Sequence, residues 1–162
     1  MKIISRKISF EEYDSLNELQ EEQRNLVEAA RKACRGSYSV YSRFKVGAAV
    51  LLDNGEVITG NNQENIAYPS GLCAERVALF YAQSMYPNNS IQMIAIAANS
   101  KSDEMSEPVM PCGACRQVMA EYEDRHNVKL KTLMASETGK VLVADNMEAL
   151  LPMRFRADFL KG

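Results

Sequence analysis

Phe44-Lys45-Val46-Gly47-Ala48-Ala49-Val50-Leu51-Leu52, then Asp53-Asn54-Gly55, then Glu56-Val57-Ile58-Thr59-Gly60, is the segment from which the architecture follows. Phe44, Val46, Ala48, Val50 and Leu52 alternate as on one face of a strand. The other face, Gly47, Ala49 and Leu51, is also small or apolar, so the strand is expected to be covered on both sides. Asp-Asn-Gly is a strong hairpin signal and predicts a second strand near Glu56–Gly60. Upstream, Leu26, Val27, Ala30, Ala33 and Cys34 recur at helical spacing and Gly36 ends that helix. Two possible capping boxes, Ser9…Glu12 and Ser15…Glu18, precede it.

Downstream, a long loop (61–72) leads to a helix with Ala74, Val77, Ala78 and Tyr81 on one face. A buried strand at Ile91–Ala98 and a second long loop (99–111) follow. Cys115, Val118, Met119 and Tyr122 then mark another helix. Strands at Val128–Ala135 and Lys140–Ala144 come next, and a short helix capped by Asp145…Glu148 stops at Pro152. A hairpin feeding two β-α-β crossovers implies an α/β fold, a three-layer α/β/α sandwich around a mixed, about five-stranded sheet. Both long loops run from the C-terminal end of a strand to the start of a helix, the edge where open α/β sheets build their sites.

Composition narrows the function. The chain has 162 residues, a net charge of −2, 46% hydrophobic and 25% charged residues. This predicts one domain over 1–162, with residues 1–22 as an N-terminal extension of no assigned role. The longest apolar stretches fall far short of the ~20 residues that span a bilayer, and no apolar run follows the basic start. We therefore expect a cytoplasmic protein with no membrane partner. A slightly acidic chain also lacks the positive excess that polynucleotide binding needs.

With four cysteines, at 34, 73, 112 and 115, and one histidine, His126, any metal site must be built mostly from thiolates or carboxylates. Cys112 and Cys115 lie three apart in a first helical turn and can face one point. Cys73 and Glu75 converge only just beyond a helix N-terminus, so two helix N-termini should aim at one metal. Three soft thiolates with an open position suit catalytic Zn²⁺, one per chain. They leave a net charge of −1 on the site, which Arg76 and Arg116, each directly after a ligand turn, could offset. A closed structural site would need Cys34 or His126 as a fourth ligand. Cys34 sits on an apolar helix face, and His126 falls about 15 Å along its helix from the first turn.

A carboxylate two residues after the first ligand, with Pro-Cys-x-x-Cys later, is the signature of zinc nucleobase deaminases. There the metal provides a nucleophile near neutral pH and a non-ligating Glu moves protons. Tyr41-Ser42-Arg43-Phe44-Lys45-Val46-Gly47-Ala48-Ala49 closely resembles the first strand region of the small homotetrameric cytidine deaminases. Gly60-Asn61-Asn62-Gln63-Glu64-Asn65 resembles their nucleoside loop. Cys73-Ala74-Glu75-Arg76 and Pro111-Cys112-Gly113-Ala114-Cys115-Arg116-Gln117 complete the set, in order, from about Ala29 to Phe155.

The resemblance implies hydrolytic deamination of cytidine and 2'-deoxycytidine in pyrimidine salvage. Cys73, Cys112 and Cys115 match zinc ligands and Glu75 the proton shuttle. Asn62 and Glu64 match ribose-binding residues, Phe44 packs on the pyrimidine, and Ala74 belongs to the substrate site. Phe155 resembles a C-terminal aromatic that reaches a neighbouring subunit's site; Phe159 follows it. Asn61 stands where the family commonly has cysteine, at a position that ligates nothing. The rival readings are a deaminase of a modified nucleoside, like the blasticidin S deaminases, and a structural zinc-binding module. Polynucleotide deaminases resemble the pattern too, but typically place His as first ligand.

Overall fold

The structure, a computed structural model, describes residues 1–100 and 105–156. Six strands form one sheet in the order β1-β6-β5-β4-β2-β3. They are β1 (Glu11–Tyr13), β2 (Phe44–Leu52), β3 (Val57–Asn61), β4 (Ile91–Ser100), β5 (Lys131–Ala135) and β6 (Val141–Ala144). The helices are α1 (Glu21–Ala33), α2 (Ala74–Met85), α3 (Gly113–His126) and the short α4 (Met147–Leu150). Among the described residues no helix is long and apolar enough to cross a membrane.

The hairpin forms as its sequence dictates. Gly55 takes φ +85, the left-handed conformation glycine adopts without steric cost, and Leu52 pairs with Glu56 across the turn. β2 is antiparallel to both β3 and β4, so those two run the same way and α2 crosses over β2 between them. β4 and β5 are parallel neighbours joined through α3. The sheet is therefore mixed, with both crossovers carrying a long loop at the same edge.

Two apolar clusters fill its two faces. Val27, Ala30 and Leu26 of α1 pack on Ala49, Ala95, Ala97 and Leu133. On the opposite face Ala78, Leu79, Met119 and Met147, from α2, α3 and α4, pack on Val50, Ile94 and Ile96. This is the three-layer sandwich, and it explains why β2 has no polar face. At Gly47 an added Cβ would lie 2.1 Å from the Ala30 carbonyl oxygen, so α1 rests directly on the β2 backbone.

The sheet departs from the sequence reading at its edges. It has six strands, not five, because Glu11–Tyr13 of the N-terminal extension pairs antiparallel with β6. Three residues of polar sequence carry no period-2 signal, so this strand exists only because β6 presents an open edge. Ser9…Glu12 accordingly caps no helix. Ser15 does accept a hydrogen bond from the Asn17 N–H at 3.1 Å, but over a single 3-10 turn. Asp145 does not cap α4. Asn146 does, accepting from the Glu148 N–H at 3.0 Å, while Asp145 lies 3.3 Å from Lys131 Nζ. β5 begins at Lys131 rather than Val128 because Asn127 ends α3 in the left-handed region, at φ 52.

Candidate active site

Cys73 and Cys112 occupy the N-cap positions of α2 and α3, with extended backbones and no side-chain capping bond. Ser, Thr, Asp or Asn at such a position satisfies a helix N–H and is worth ~1 kcal/mol. The two helices forgo that, and their thiols turn towards each other instead. Cys112 Sγ is 3.8 Å from Cys73 Sγ and 3.5 Å from Cys115 Sγ, and all three sulfurs lie within 4.8 Å of one another. Two sulfurs each ~2.3 Å from a tetrahedral zinc would stand about 3.8 Å apart. The triad thus fits one such ion in both donor chemistry and spacing.

The thiols share protons unequally. A hydrogen bond from Cys115, aided by Arg76 and Cys112, brings Cys73 down to about 5. The same Cys73 contact, together with burial, pushes Cys115 far up. Glu75, in the first turn of α2, is 4% exposed, and burial raises its carboxyl above the ordinary range. The negative charge of Cys73 adds to that rise.

The arginines following the two ligand turns behave differently. Arg76 Nη2 points at Cys73 Sγ, 3.7 Å away. Arg116 instead donates to the carbonyls of Pro111 (2.8 Å) and Leu150 (3.1 Å). It ties the approach to Cys112 onto the end of α4 and places no bond on a thiol.

Cys73 and Cys112 open onto a cavity of about 820 Å³ walled also by Phe44, Asn62, Glu64 and Glu75, while Cys115 is fully buried beside them. Five of the residues expected at substrate or metal therefore share one space with the proton shuttle candidate. Gly60 sets how α2 seats on the sheet: a Cβ there would be 2.5 Å from Ala78 N and 2.8 Å from Ala74 O, so α2 can pack on β3 only over glycine. Ala74 itself is fully buried in the core, and its side chain does not face the cavity. Phe155 is 65% exposed and lies outside the cavity, its carbonyl held by Gln117 Nε2 at 3.1 Å. Phe159 lies outside the described residues.

Asn62 and Glu64 are already partly committed. Asn62 Oδ1 accepts from Val46 N–H at 2.8 Å and from the Ser37 hydroxyl, and its Nδ2 donates to Phe44 O at 2.9 Å. Those bonds use both lone pairs and one of its two N–H groups. Glu64 accepts from Tyr41 N–H (2.9 Å), Ser42 N–H (3.3 Å) and the Ser42 hydroxyl. The Ser42 bond chiefly holds its carboxyl below the usual range. Arg43, with φ 60, makes the sharp turn that returns Ser42 to Glu64 before β2 begins. Sequence reasoning missed Ser42, Tyr68 and Met110, which also line the cavity. Ser42 alone had a signal, its place two residues before Phe44.

Neither remaining candidate ligand reaches the triad. Cys34 packs against α1 and Ala97 O on the other face of the sheet. His126 accepts from Ile91 N–H at 3.2 Å through Nδ1, with Nε2 3.2 Å from Gln83 Oε1.

Residues 20–131 match the family model described as the cytidine and deoxycytidylate deaminase zinc-binding region. This chain belongs to that deaminase family. Its cytidine deaminase relative from Halalkalibacterium halodurans is 50% identical over 96 residues, covering 59% of this chain and 68% of the relative. A probable cytidine deaminase of Dictyostelium discoideum is 36% identical over 76% of this chain and 82% of its own. The crystal structure of a cytidine deaminase from Burkholderia pseudomallei superposes with a TM-score of 0.69 at 37% identity, covering 81% of this chain and 97% of that one. In this deaminase fold the three thiols fall within the family's zinc-binding region.

Proposed function

We propose that the protein is a zinc-dependent cytidine deaminase acting on cytidine and 2'-deoxycytidine in pyrimidine salvage, in the cytoplasm. The observation that carries this reading is Glu75: a buried carboxyl beside three converged thiols, on the wall of a cavity large enough for a nucleoside. Cys73, Cys112 and Cys115 would hold the zinc, which when bound would make water nucleophilic near neutral pH. Glu75 takes the two protons of the attacking water in turn, delivering the first to ring N3 and the second to the departing amine, so that cytidine and water give uridine and ammonia. Its raised affinity for protons suits a group that must hold and release them in turn. Phe44 packs on the pyrimidine, and the first turn of α2 at Ala74 offers backbone N–H groups that no earlier carbonyl of the helix can satisfy.

Asn62 contributes its remaining N–H to the ribose, and Glu64 the one remaining lone pair, on Oε1. Their hydrogen bonds to β2 and to the 41–42 loop hold these groups rigid before substrate arrives, which lowers the cost of binding. Arg76 moderates the excess negative charge of three thiolates. Phe155 is supplied to a neighbouring subunit within a homotetramer, which suits an aromatic ring left in solvent on the single chain.

Zinc-loaded protein incubated with cytidine should release ammonia and uridine in equal amounts, and free cytosine should react poorly for want of ribose contacts. Glu64→Gln should damage cytidine turnover far more than zinc content. Full zinc loading without ammonia from any unmodified cytosine nucleoside would end this reading and favour a modified substrate or a structural metal.

A further inference from the structure

Phe155 is exposed while the side chain before it is largely withdrawn from solvent. Arg154 has a side chain only 10% exposed, with Nη1 2.7 Å from Glu123 Oε1 and Nη2 2.8 Å from Asp124 Oδ1. Glu123 is equally buried and is itself fixed, because its Oε2 accepts from Leu130 N–H at 3.0 Å and from Met147 N–H at 2.9 Å. One carboxylate thus gathers the approach to β5, the first residue of α4 and the C-terminal tail. The tail is also held at Phe155 O by Gln117, and the end of α4 from which it departs is held at Leu150 O by Arg116. All these holding side chains belong to α3, the helix that begins at two of the three thiols.

We infer that Arg154 is a positioning residue: clamped by Glu123 and Asp124, it fixes the direction in which the neighbouring Phe155 leaves the subunit. This rests on the reading that Phe155 completes a neighbour's site. The segment 151–156 would otherwise have to be ordered at the moment of substrate binding, at an entropic cost per residue. A buried ion pair is a poor way to gain stability compared with apolar packing, but its geometry is directional, as holding a ring in one orientation requires.

The test uses full-length, zinc-loaded Arg154→Ala, Arg154→Lys, Phe155→Ala and the Arg154→Ala/Phe155→Ala double variant. Amide hydrogen exchange over 151–156 is measured beside kcat and KM for cytidine. Arg154→Ala should speed tail exchange and raise KM about fivefold or more with kcat nearly unchanged. The double variant should be no worse than Phe155→Ala alone. Arg154→Lys, which keeps one contact to Glu123, should recover part of KM and serves if the alanine variant fails to fold. Unchanged tail exchange overturns the clamp whatever Phe155 does. So does a double variant whose KM is the product of the single effects, because Arg154 would then act apart from Phe155. A KM effect of Phe155→Ala with none for Arg154→Ala ends the positioning role alone. An unchanged KM for Phe155→Ala ends the shared site and the positioning role together.

Discussion

The N-termini of α2 and α3 meet at the same point but are built for different tasks. α2 brings one thiol, a buried carboxyl and an arginine aimed at that thiol. α3 brings two thiols and an arginine bonded to backbone carbonyls on either side of it. One start gathers ionisable side chains, while the other braces the loop that delivers two sulfurs. Equivalent motif positions, Arg76 and Arg116, therefore carry different work, and only their surroundings say which.

The largest expected effect would abolish the distinction. Cys112→Ala should lose zinc, all turnover and the stability linked to metal binding, about 4 kcal/mol at metal concentrations a thousandfold above Kd. Metal analysis and thermal unfolding with and without chelator measure this; a variant that kept one zinc per chain would put the bracing role elsewhere. Glu75→Ala should instead keep the metal while kcat falls by about 10²- to 10⁴-fold, the usual worth of general acid–base catalysis. Substantial activity in that variant would remove the chemical role from α2.

Gly60→Ala comes next. Its Cβ would press on the α2 backbone at 2.5 Å, so the α2 start should shift, with ~1–3 kcal/mol lost by overpacking and a drop in kcat/KM at retained zinc. Denaturant titration and steady-state kinetics report the two parts separately. The smallest effects are the most discriminating. Arg116→Ala strands the Pro111 and Leu150 carbonyls and should lower stability by ~1–3 kcal/mol. Arg76→Ala should leave stability nearly unchanged but speed zinc loss to a chelator. If the two exchanged outcomes, the division of labour between the helix starts would be reversed.

Much of this site is legible in one dimension because its chemistry is local. Cys112 and Cys115 fall in one helical turn, Cys73 and Glu75 flank another helix start, and neither helix has an ordinary N-cap residue. The failure of the capping rule at both starts is itself a sign of function. The misplacements have equally local causes. Asp145 and Asn146 are both good caps, and only the Lys131 side chain across the sheet settles which one is used. Glu11–Tyr13 has no strand pattern of its own and is recruited by the free edge of β6.

By itself the sequence determined the layered α/β order and singled out the candidate metal donors and proton carrier, since periodicity and ligand spacing act over a few residues. Tertiary structure alone decided what those groups still have to offer. Asn62 has given three of its hydrogen bonds to Ser37, Val46 and Phe44, and Glu64 is held by Tyr41 and Ser42. Arg116 is spent on carbonyls, and Arg154 is buried between Glu123 and Asp124, some thirty positions away in the chain. A side chain's residual bonding capacity depends on partners that folding brings from distant segments, and no spacing rule along the chain contains them.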